Sequence, residues 1–195
     1  MSSLWNSIKK DLKDIWNVPN VLTMLRFVLV VVFAVLFAGR HYVGAVFTFL
    51  LAAATDLLDG YIARKTGTIT TFGKLMDPLA DKIMLIVALI CMVSRGYLPS
   101  FILAFVLMKE ALMIVGGLWL YEKKIVVYAK GFGKAATLVF NTAVVLSILG
   151  RAFPTFAFLN TYHVDVIAFV IAIILAICAL IQYATSVYKQ WCEKR

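Results

Sequence analysis

The sequence predicts an all-α integral membrane protein with six transmembrane helices, preceded by an amphipathic helix on the membrane surface. The 195 residues are 63% hydrophobic, with a mean hydropathy of +0.95. A soluble domain of this length could not bury so much apolar surface. The apolar residues also gather into stretches close to the ~20 residues that a helix needs to cross a bilayer. Lipid is therefore expected to cover part of the chain.

The first predicted element is the surface helix, over residues 1–17. Its charged residues, among them Lys9, Lys13 and Asp14, take the side opposite to an apolar stripe. The stripe has helical spacing and consists of Leu4, Trp5, Ile8, Leu12, Ile15 and Trp16. Such a helix lies in the membrane surface, and the alternative is a short helix packed on the protein itself. The mixed charge excludes a cleavable signal peptide.

Six apolar stretches follow in one membrane domain, residues 18–188, with a cytoplasmic tail at 189–195. The fifth stretch is short and contains Asn141 and Thr142. The predicted spans are Val21–Ala38, Tyr42–Ile62, Pro78–Val93, Leu98–Leu120, Ala135–Leu149 and Val164–Val187.

Basic residues fall mostly on one side of this six-span arrangement. Fifteen of the 19 Lys and Arg lie with the termini and the second and fourth loops. Arg40, Arg95 and Arg151 fall on the other side, and Lys109 lies inside a span. This bias predicts cytoplasmic termini. The net charge of +9 thus indicates anionic head groups rather than nucleic acid as the partner.

Four acidic residues fall in one short segment, where the second span ends and the third begins. Asp56 and Asp59 share a helix face with an axial offset of about 4.5 Å. Asp77 and Asp81 are offset by about 6 Å on the next helix. The segment between these pairs is short enough to make the two helices antiparallel neighbours. We therefore expect the four carboxylates to converge.

Four close carboxylates repel one another in a low-dielectric site, so cations are expected among them. Oxygen ligands without Cys or His favour Mg²⁺, Mn²⁺ or Ca²⁺. Four carboxylates suffice for two divalent ions, an arrangement suited to displacement at phosphorus. The alternative is a salt-bridge network with nearby basic residues, namely Arg64, Lys65, Lys74 and Lys82.

Small residues and an arginine accompany the acids. Gly60, Ala63 and Gly73 let the backbone approach a bulky ligand closely. Arg64 supplies a guanidinium suited to a phosphate. Together with the carboxylates, these residues predict a nucleotide-diphosphate site.

The segment resembles the signature of the CDP-alcohol phosphatidyltransferase family. It reads Asp56-x2-Asp59-Gly60-x2-Ala63-Arg64-x8-Gly73-x3-Asp77-x3-Asp81, with every fixed position filled. The resemblance implies that an alcohol hydroxyl attacks the lipid-side phosphorus of a CDP-activated lipid and that CMP leaves. It also implies two Mg²⁺ or Mn²⁺ ions held by Asp56, Asp59 and Asp77, with Asp81 near them. Asp77 and Asp81 are the expected catalytic residues, with Asp81 the general base. Gly60, Ala63, Arg64 and Gly73 would bind the cytidine diphosphate.

A second cluster opens the first span, where Asn20, Thr23 and Arg26 lie close to one helical face. It is similar to the start of bacterial phosphatidylglycerophosphate synthases and of CDP-lipid-dependent cardiolipin synthases. We expect Asn20 and Thr23 to bind the cytidine nucleotide and Arg26 to bind the acceptor. The alternative is a helix start with an interfacial arginine.

The acceptor is left open between glycerol 3-phosphate, the first choice, and phosphatidylglycerol. Lys109, Lys130 and Lys134 are candidates for binding it. Compared with phosphatidylglycerophosphate synthases, Lys109-Glu110 replaces Arg-Glu, Gly116-Gly117 stands near the place of a second Arg that is missing here, and Ala136 replaces a lysine. An intramembrane Lys109 needs a partner or a polar cavity, so a structural ion pair with Glu110 is the alternative.

Two other classes are weaker alternatives. A divalent-cation transporter would usually place its acidic residues near the midplane, between broken helices. A membrane scaffold would have no reason to concentrate four carboxylates. The resemblance further implies a bacterial inner-membrane enzyme with a cytoplasmic active site. Its partners would be CDP-diacylglycerol, an alcohol acceptor, membrane lipids and a second copy of the chain in a homodimer.

Overall fold

The computed structural model describes the backbone of residues 18–66, 71–122 and 131–193, and the side chains of 21–56, 58, 79–116 and 131–188. These residues form helices and their connections, without a strand, which confirms the all-α class. The predicted surface helix, 1–17, lies outside the described residues. The helices are α1 (Val18–Ala38), α2 (Tyr42–Thr66), α3 (Thr71–Ser94), α4 (Ser100–Glu122), α5 (Gly131–Ala152), α6 (Phe158–Thr161) and α7 (Val164–Glu193).

Each predicted span corresponds to one of the six long helices. Within the described part of the chain, three stretches are long and apolar enough to cross a membrane: Val21–Ala38, Gly131–Ala152 and Val164–Tyr188. Helix α2 contributes a shorter apolar stretch, Tyr42–Asp56. The chain is therefore a membrane protein by composition and helix length, and the count of six spans stays a prediction.

The chain divides into two compact units, Met1–Cys91 and Met92–Arg195. In the first unit, α1 and α2 pack against each other as a hairpin. The Phe33 ring lies 5.8 Å from the Phe49 ring, and the Phe37 ring lies 5.5 Å from the Tyr42 ring. Ala52 is also buried, and its small side chain lets the two helices approach closely farther along α2. Aromatic packing thus fills the end of the hairpin nearest its turn.

The turn between α1 and α2 begins at a left-handed residue, Arg40, with φ of 61°. The Arg40 N–H donates to the Phe37 carbonyl at 3.1 Å, and the His41 N–H donates to the Leu36 carbonyl at 2.9 Å. This pair of bonds is a Schellman motif, which satisfies carbonyls at the helix end and reverses the chain. The reversal allows α2 to return alongside α1.

In the second unit, α5 and α7 pack along each other. The rings of Phe140 and Phe169 lie 6.4 Å apart, and both residues are fully buried. Small residues on both helices, including Ala143 and Ala172, allow this approach. Helix α4 meets α7 at Gly116, where an added Cβ would lie 3.5 Å from the Tyr183 ring and hydroxyl.

Candidate metal and phosphate site

The four motif aspartates lie on two consecutive helices of the first unit, α2 and α3. Asp56 lies ten residues before the end of α2, and Asp81 lies ten residues after the start of α3. Asp59 and Asp77 lie seven residues before and six residues after the same two ends. At about 1.5 Å per residue, Asp56 and Asp81 lie at nearly equal distances from the connection between the helices, and so do Asp59 and Asp77. This matching is what convergence of the four carboxylates requires.

The described side chains cover only part of this motif. Asp56 and Asp81 are both half-buried. The side chains of the other motif residues lie outside the described set, namely those of Asp59, Ala63, Arg64 and Asp77. The surroundings of Gly60 and Gly73 also lie outside it. Among the side chains that are described, no three His, Cys, Asp or Glu residues form a metal cluster. Convergence therefore stays a prediction.

A buried ion pair links the first two helices beside this motif. Nη1 of Arg26 on α1 lies 3.0 Å from Oδ1 of Asp56 on α2. The Arg26 side chain is 1% exposed, whereas the Asp56 side chain is 41% exposed. A guanidinium taken out of water needs an anion beside it, and Asp56 supplies one. Because only Asp56 is open to solvent, its carboxylate can serve Arg26 on one side and a ligand on the other.

Polar side chains continue around this pair. Thr23, one turn before Arg26, is buried, so two of the three residues in the predicted N-terminal cluster occupy the packed face of α1. The Asn20 side chain lies outside the described set. Thr55, next to Asp56, donates its hydroxyl to the Ala52 carbonyl at 2.7 Å. The α1–α2 interface therefore changes from aromatic near the turn to polar beside the aspartates.

Sequence reasoning assigned Arg26 to the acceptor and Asp56 to a metal but did not pair them. A signal for the pairing was available. Arg26 lies 12 residues before the end of α1, and Asp56 lies 14 residues after the start of α2. In a hairpin these positions reach similar depths, so a basic and an acidic residue there are natural partners.

The acceptor candidates lie in the second unit or outside the described residues. Nζ of Lys109 lies 2.5 Å from Oε1 of Glu110, and these side chains are only 14% and 12% exposed. This ion pair is the structural alternative considered for Lys109. Lys134 is exposed in the first turn of α5. Lys130 lies outside the described residues.

The donor chemistry of the site fits hard divalent cations. The residues from Asp56 to Asp81 contain four carboxylates and no His or Cys. Carboxylate oxygens suit Mg²⁺ and Mn²⁺, whereas zinc sites use His and Cys. The exposed part of the Asp56 carboxylate is accessible to such an ion.

The family model described as CDP-alcohol phosphatidyltransferase matches residues 16–180. A CDP-diacylglycerol–glycerol-3-phosphate 3-phosphatidyltransferase of Treponema pallidum is 32% identical over 152 residues, 75% of this chain and 70% of the relative. The protein of that name from Aquifex aeolicus is 29% identical over 181 residues, 89% of this chain and 97% of the relative. A probable phosphatidylglycerophosphate synthase of Mycobacterium tuberculosis is 35% identical over 144 residues, covering 71% of this chain and 68% of the relative.

Proposed function

The chain belongs to the CDP-alcohol phosphatidyltransferase family, and we propose that it transfers the phosphatidyl group of CDP-diacylglycerol to glycerol 3-phosphate. The products are phosphatidylglycerophosphate and CMP. The observation that carries this proposal is the complete Asp56–Asp81 motif on two consecutive helices. The names of the relatives support glycerol 3-phosphate as the acceptor.

Four carboxylates would hold the metal in this proposal: Asp56, Asp59, Asp77 and Asp81. Family members use divalent metal ions. The finer assignment, two Mg²⁺ or Mn²⁺ ions, follows from the four hard oxygen ligands. When bound, these ions neutralise charge on the diphosphate and stabilise the leaving CMP. Asp56 contributes through the side of its carboxylate that Arg26 does not contact.

The reaction is a direct displacement at phosphorus. Asp81 accepts the proton of the acceptor hydroxyl as that oxygen bonds to the lipid-side phosphorus. The bond between that phosphorus and the bridging oxygen breaks, and CMP leaves with the electron pair. Asp77 acts beside Asp81 as the second catalytic carboxylate. No Ser, Cys or His lies within the motif to form a covalent intermediate.

Substrate binding is assigned to the remaining motif residues. Arg64 pairs with the diphosphate, and small residues at 60, 63 and 73 leave room for cytidine. Asn20 and Thr23 lie on the helix that carries Arg26, which supports their placement beside the nucleotide. Four cations are candidates for the acceptor phosphate: Arg26, Lys109, Lys130 and Lys134.

The arrangement in the cell follows from the charge bias. Six spans would place both termini and the motif at the cytoplasmic face of the inner membrane. The surface helix of residues 1–17 would lie in that leaflet, and residues 18–188 would form the membrane domain. A homodimer is the proposed assembly.

Phosphatidylglycerol is the second candidate acceptor, which would make the enzyme a cardiolipin synthase. The ion pair between Lys109 and Glu110 favours it, because a paired lysine contributes less positive charge to a phosphate. A phosphodiester carries less charge than the phosphate of glycerol 3-phosphate and needs fewer cations.

Release of CMP by the purified enzyme distinguishes the two acceptors. The enzyme is supplied with CDP-diacylglycerol and Mg²⁺, and either glycerol 3-phosphate or phosphatidylglycerol is added. We expect CMP release with glycerol 3-phosphate. Release with phosphatidylglycerol alone would overturn the first acceptor and leave the reaction class intact.

A further inference from the structure

A short connector, residues 153–163, joins two helices that are each long and apolar enough to cross a membrane, Gly131–Ala152 and Val164–Tyr188. The end of one span and the start of the next lie at the same boundary of the bilayer, and the connector lies there with them. We propose that this connector is seated in the lipid head-group layer and anchors the α5–α7 hairpin to it. The partner is a lipid surface.

The first support is the absence of free charge in this part of the chain. The sequence from 152 to 164 contains no Lys, Arg, Asp or Glu. The charges that flank it are paired, because Nη1 of Arg151 lies 3.6 Å from Oδ2 of Asp165. Ser147 donates its hydroxyl to the same oxygen at 2.7 Å. A loop in bulk water has no need of such neutrality, whereas a segment in contact with lipid does.

The second support is the hydrogen bonding of the connector backbone. Seven N–H groups between residues 153 and 163 donate to carbonyl oxygens of the protein at 2.9–3.2 Å. A 3₁₀ turn, Pro154–Phe156, and the single turn of α6 create most of these bonds. The Thr161 hydroxyl also donates to a carbonyl, that of Ala157, at 3.1 Å. Internal partners of this kind are required where water is scarce.

The third support is a group of exposed aromatic side chains. Phe156 is 39% exposed, Phe158 is 50% exposed and Tyr162 is 72% exposed. The Phe156 ring lies 6.5 Å from the Phe158 ring, so the two form one apolar patch. Tyrosine is enriched where the hydrocarbon meets water, since its apolar ring and its hydroxyl are both accommodated there, and phenylalanine rings at that depth enter the adjoining acyl region. In water the same patch would be unfavourable.

A polar clasp fixes the connector to the ends of the two helices. Nη1 of Arg151 donates to Oδ1 of Asn160 at 3.0 Å, and the guanidinium carbon lies 3.9 Å from the centre of the Tyr97 ring. Gly150 permits this approach, because an added Cβ would lie 2.5 Å from Nδ2 of Asn160. The clasp therefore holds the aromatic patch in a fixed position relative to both helices.

Site-directed fluorescence in vesicles tests the proposal. The full chain is prepared with Cys91→Ala, Cys178→Ala and Cys192→Ala, and one cysteine is introduced as Phe158→Cys for labelling with an environment-sensitive dye. The protein is reconstituted in phosphatidylethanolamine–phosphatidylglycerol vesicles. Lipids with a nitroxide near the head group, and others with a nitroxide deep in the acyl chain, are the quenchers. Ile174→Cys, on the exposed face of α7, is the acyl-depth control. The same dye coupled to free cysteine in the buffer is the aqueous control.

We expect the dye at position 158 to be quenched several-fold more by the head-group nitroxide than by the deep one, with blue-shifted emission. The dye at position 174 should show the opposite preference, and the free dye should respond mainly to aqueous iodide. If Phe158→Cys fails to fold, Tyr162→Cys replaces it. Iodide quenching at position 158 equal to that of the free dye, with iodide on both sides of the membrane, would overturn the proposal. Shielding from every quencher would also overturn it, by indicating that protein covers the patch.

Discussion

Arg26 and Asp56 form an ion pair in which the arginine is buried and the aspartate is half open to solvent, with Nη1 and Oδ1 3.0 Å apart. The pair attaches α1 to α2 at the polar end of their interface and restricts the orientation of the Asp56 carboxylate. A motif carboxylate is thereby positioned by a helix outside the motif. This relationship links the N-terminal cluster to the proposed metal site.

The unequal burial of this pair predicts unequal effects of removing its members. Asp56→Ala leaves a buried guanidinium without this anion, whereas Arg26→Met leaves a carboxylate that water can solvate. We expect Asp56→Ala to lower the free energy of unfolding by about 2–4 kcal/mol, and Arg26→Met to lower it by less. Unfolding in detergent with EDTA present removes any contribution from bound metal. Equal losses, or a larger loss for Arg26→Met, would contradict the assigned role of the pair.

Loss of the proposed base should affect turnover without affecting insertion. Asp81→Asn is expected to reduce kcat by roughly 10²–10⁴-fold, because the amide cannot accept the proton of the acceptor hydroxyl. Thermal unfolding and membrane yield should stay close to those of the wild type. Glu193→Gln, at the last residue of α7 and outside the motif, is the control and should retain most of the activity. Wild-type turnover in Asp81→Asn would remove that residue from the mechanism.

Metal removal gives a third prediction. EDTA should stop CMP release, and added Mg²⁺ or Mn²⁺ should restore it, because the diphosphate needs cations among the carboxylates. Ca²⁺, which is larger and accepts looser geometry, is expected to restore less. The assay is CMP release by one preparation before and after chelation. Full activity in EDTA would contradict the metal site.

Two glycines at opposite ends of α5 make a matched pair for testing the clasp. At Gly150 an added Cβ would lie 2.5 Å from Nδ2 of Asn160, whereas at Gly133 no atom of the described residues lies within 4 Å of that position. We expect Gly150→Ala to lower the free energy of unfolding by about 1–3 kcal/mol. Gly133→Ala should be neutral or stabilising by up to about 1 kcal/mol, since alanine favours the helix. Equal melting temperatures for the two variants would show that the clasp has little effect on stability.

Apolar length was enough to predict where the long helices lie, but not how far they extend. The fifth span was predicted as Ala135–Leu149, and its helix is Gly131–Ala152. Hydropathy detects only the apolar part, while helical hydrogen bonding continues through polar residues such as Lys134 and Arg151. The sixth span was predicted to end at Val187, and its helix, α7, extends to Glu193. Helix ends depend on local capping, which a hydropathy average does not register.

The candidate site shows the same division between local and tertiary information. The spacing of the four aspartates is local, so their places on α2 and α3 could be predicted. The pairing of Arg26 with Asp56 depends on how α1 packs against α2. Similarly, the sequence placed Arg151 in an external loop, whereas the structure shows it at the end of α5, bound to Ser147, Asn160 and Asp165. Such partners are distant in sequence and become neighbours only after the helices pack.

Manganese binding tests the central claim most directly, because it depends on the carboxylates and not on the acceptor. Purified protein is titrated with Mn²⁺, and the free ion is measured by electron paramagnetic resonance. We expect up to two bound ions per chain, with weaker binding in Asp59→Asn and in Asp77→Asn, while Glu193→Gln binds as the wild type does. Undiminished binding in both motif variants, or no binding by the wild-type protein, would contradict the claim that α2 and α3 bring their aspartates together around divalent cations.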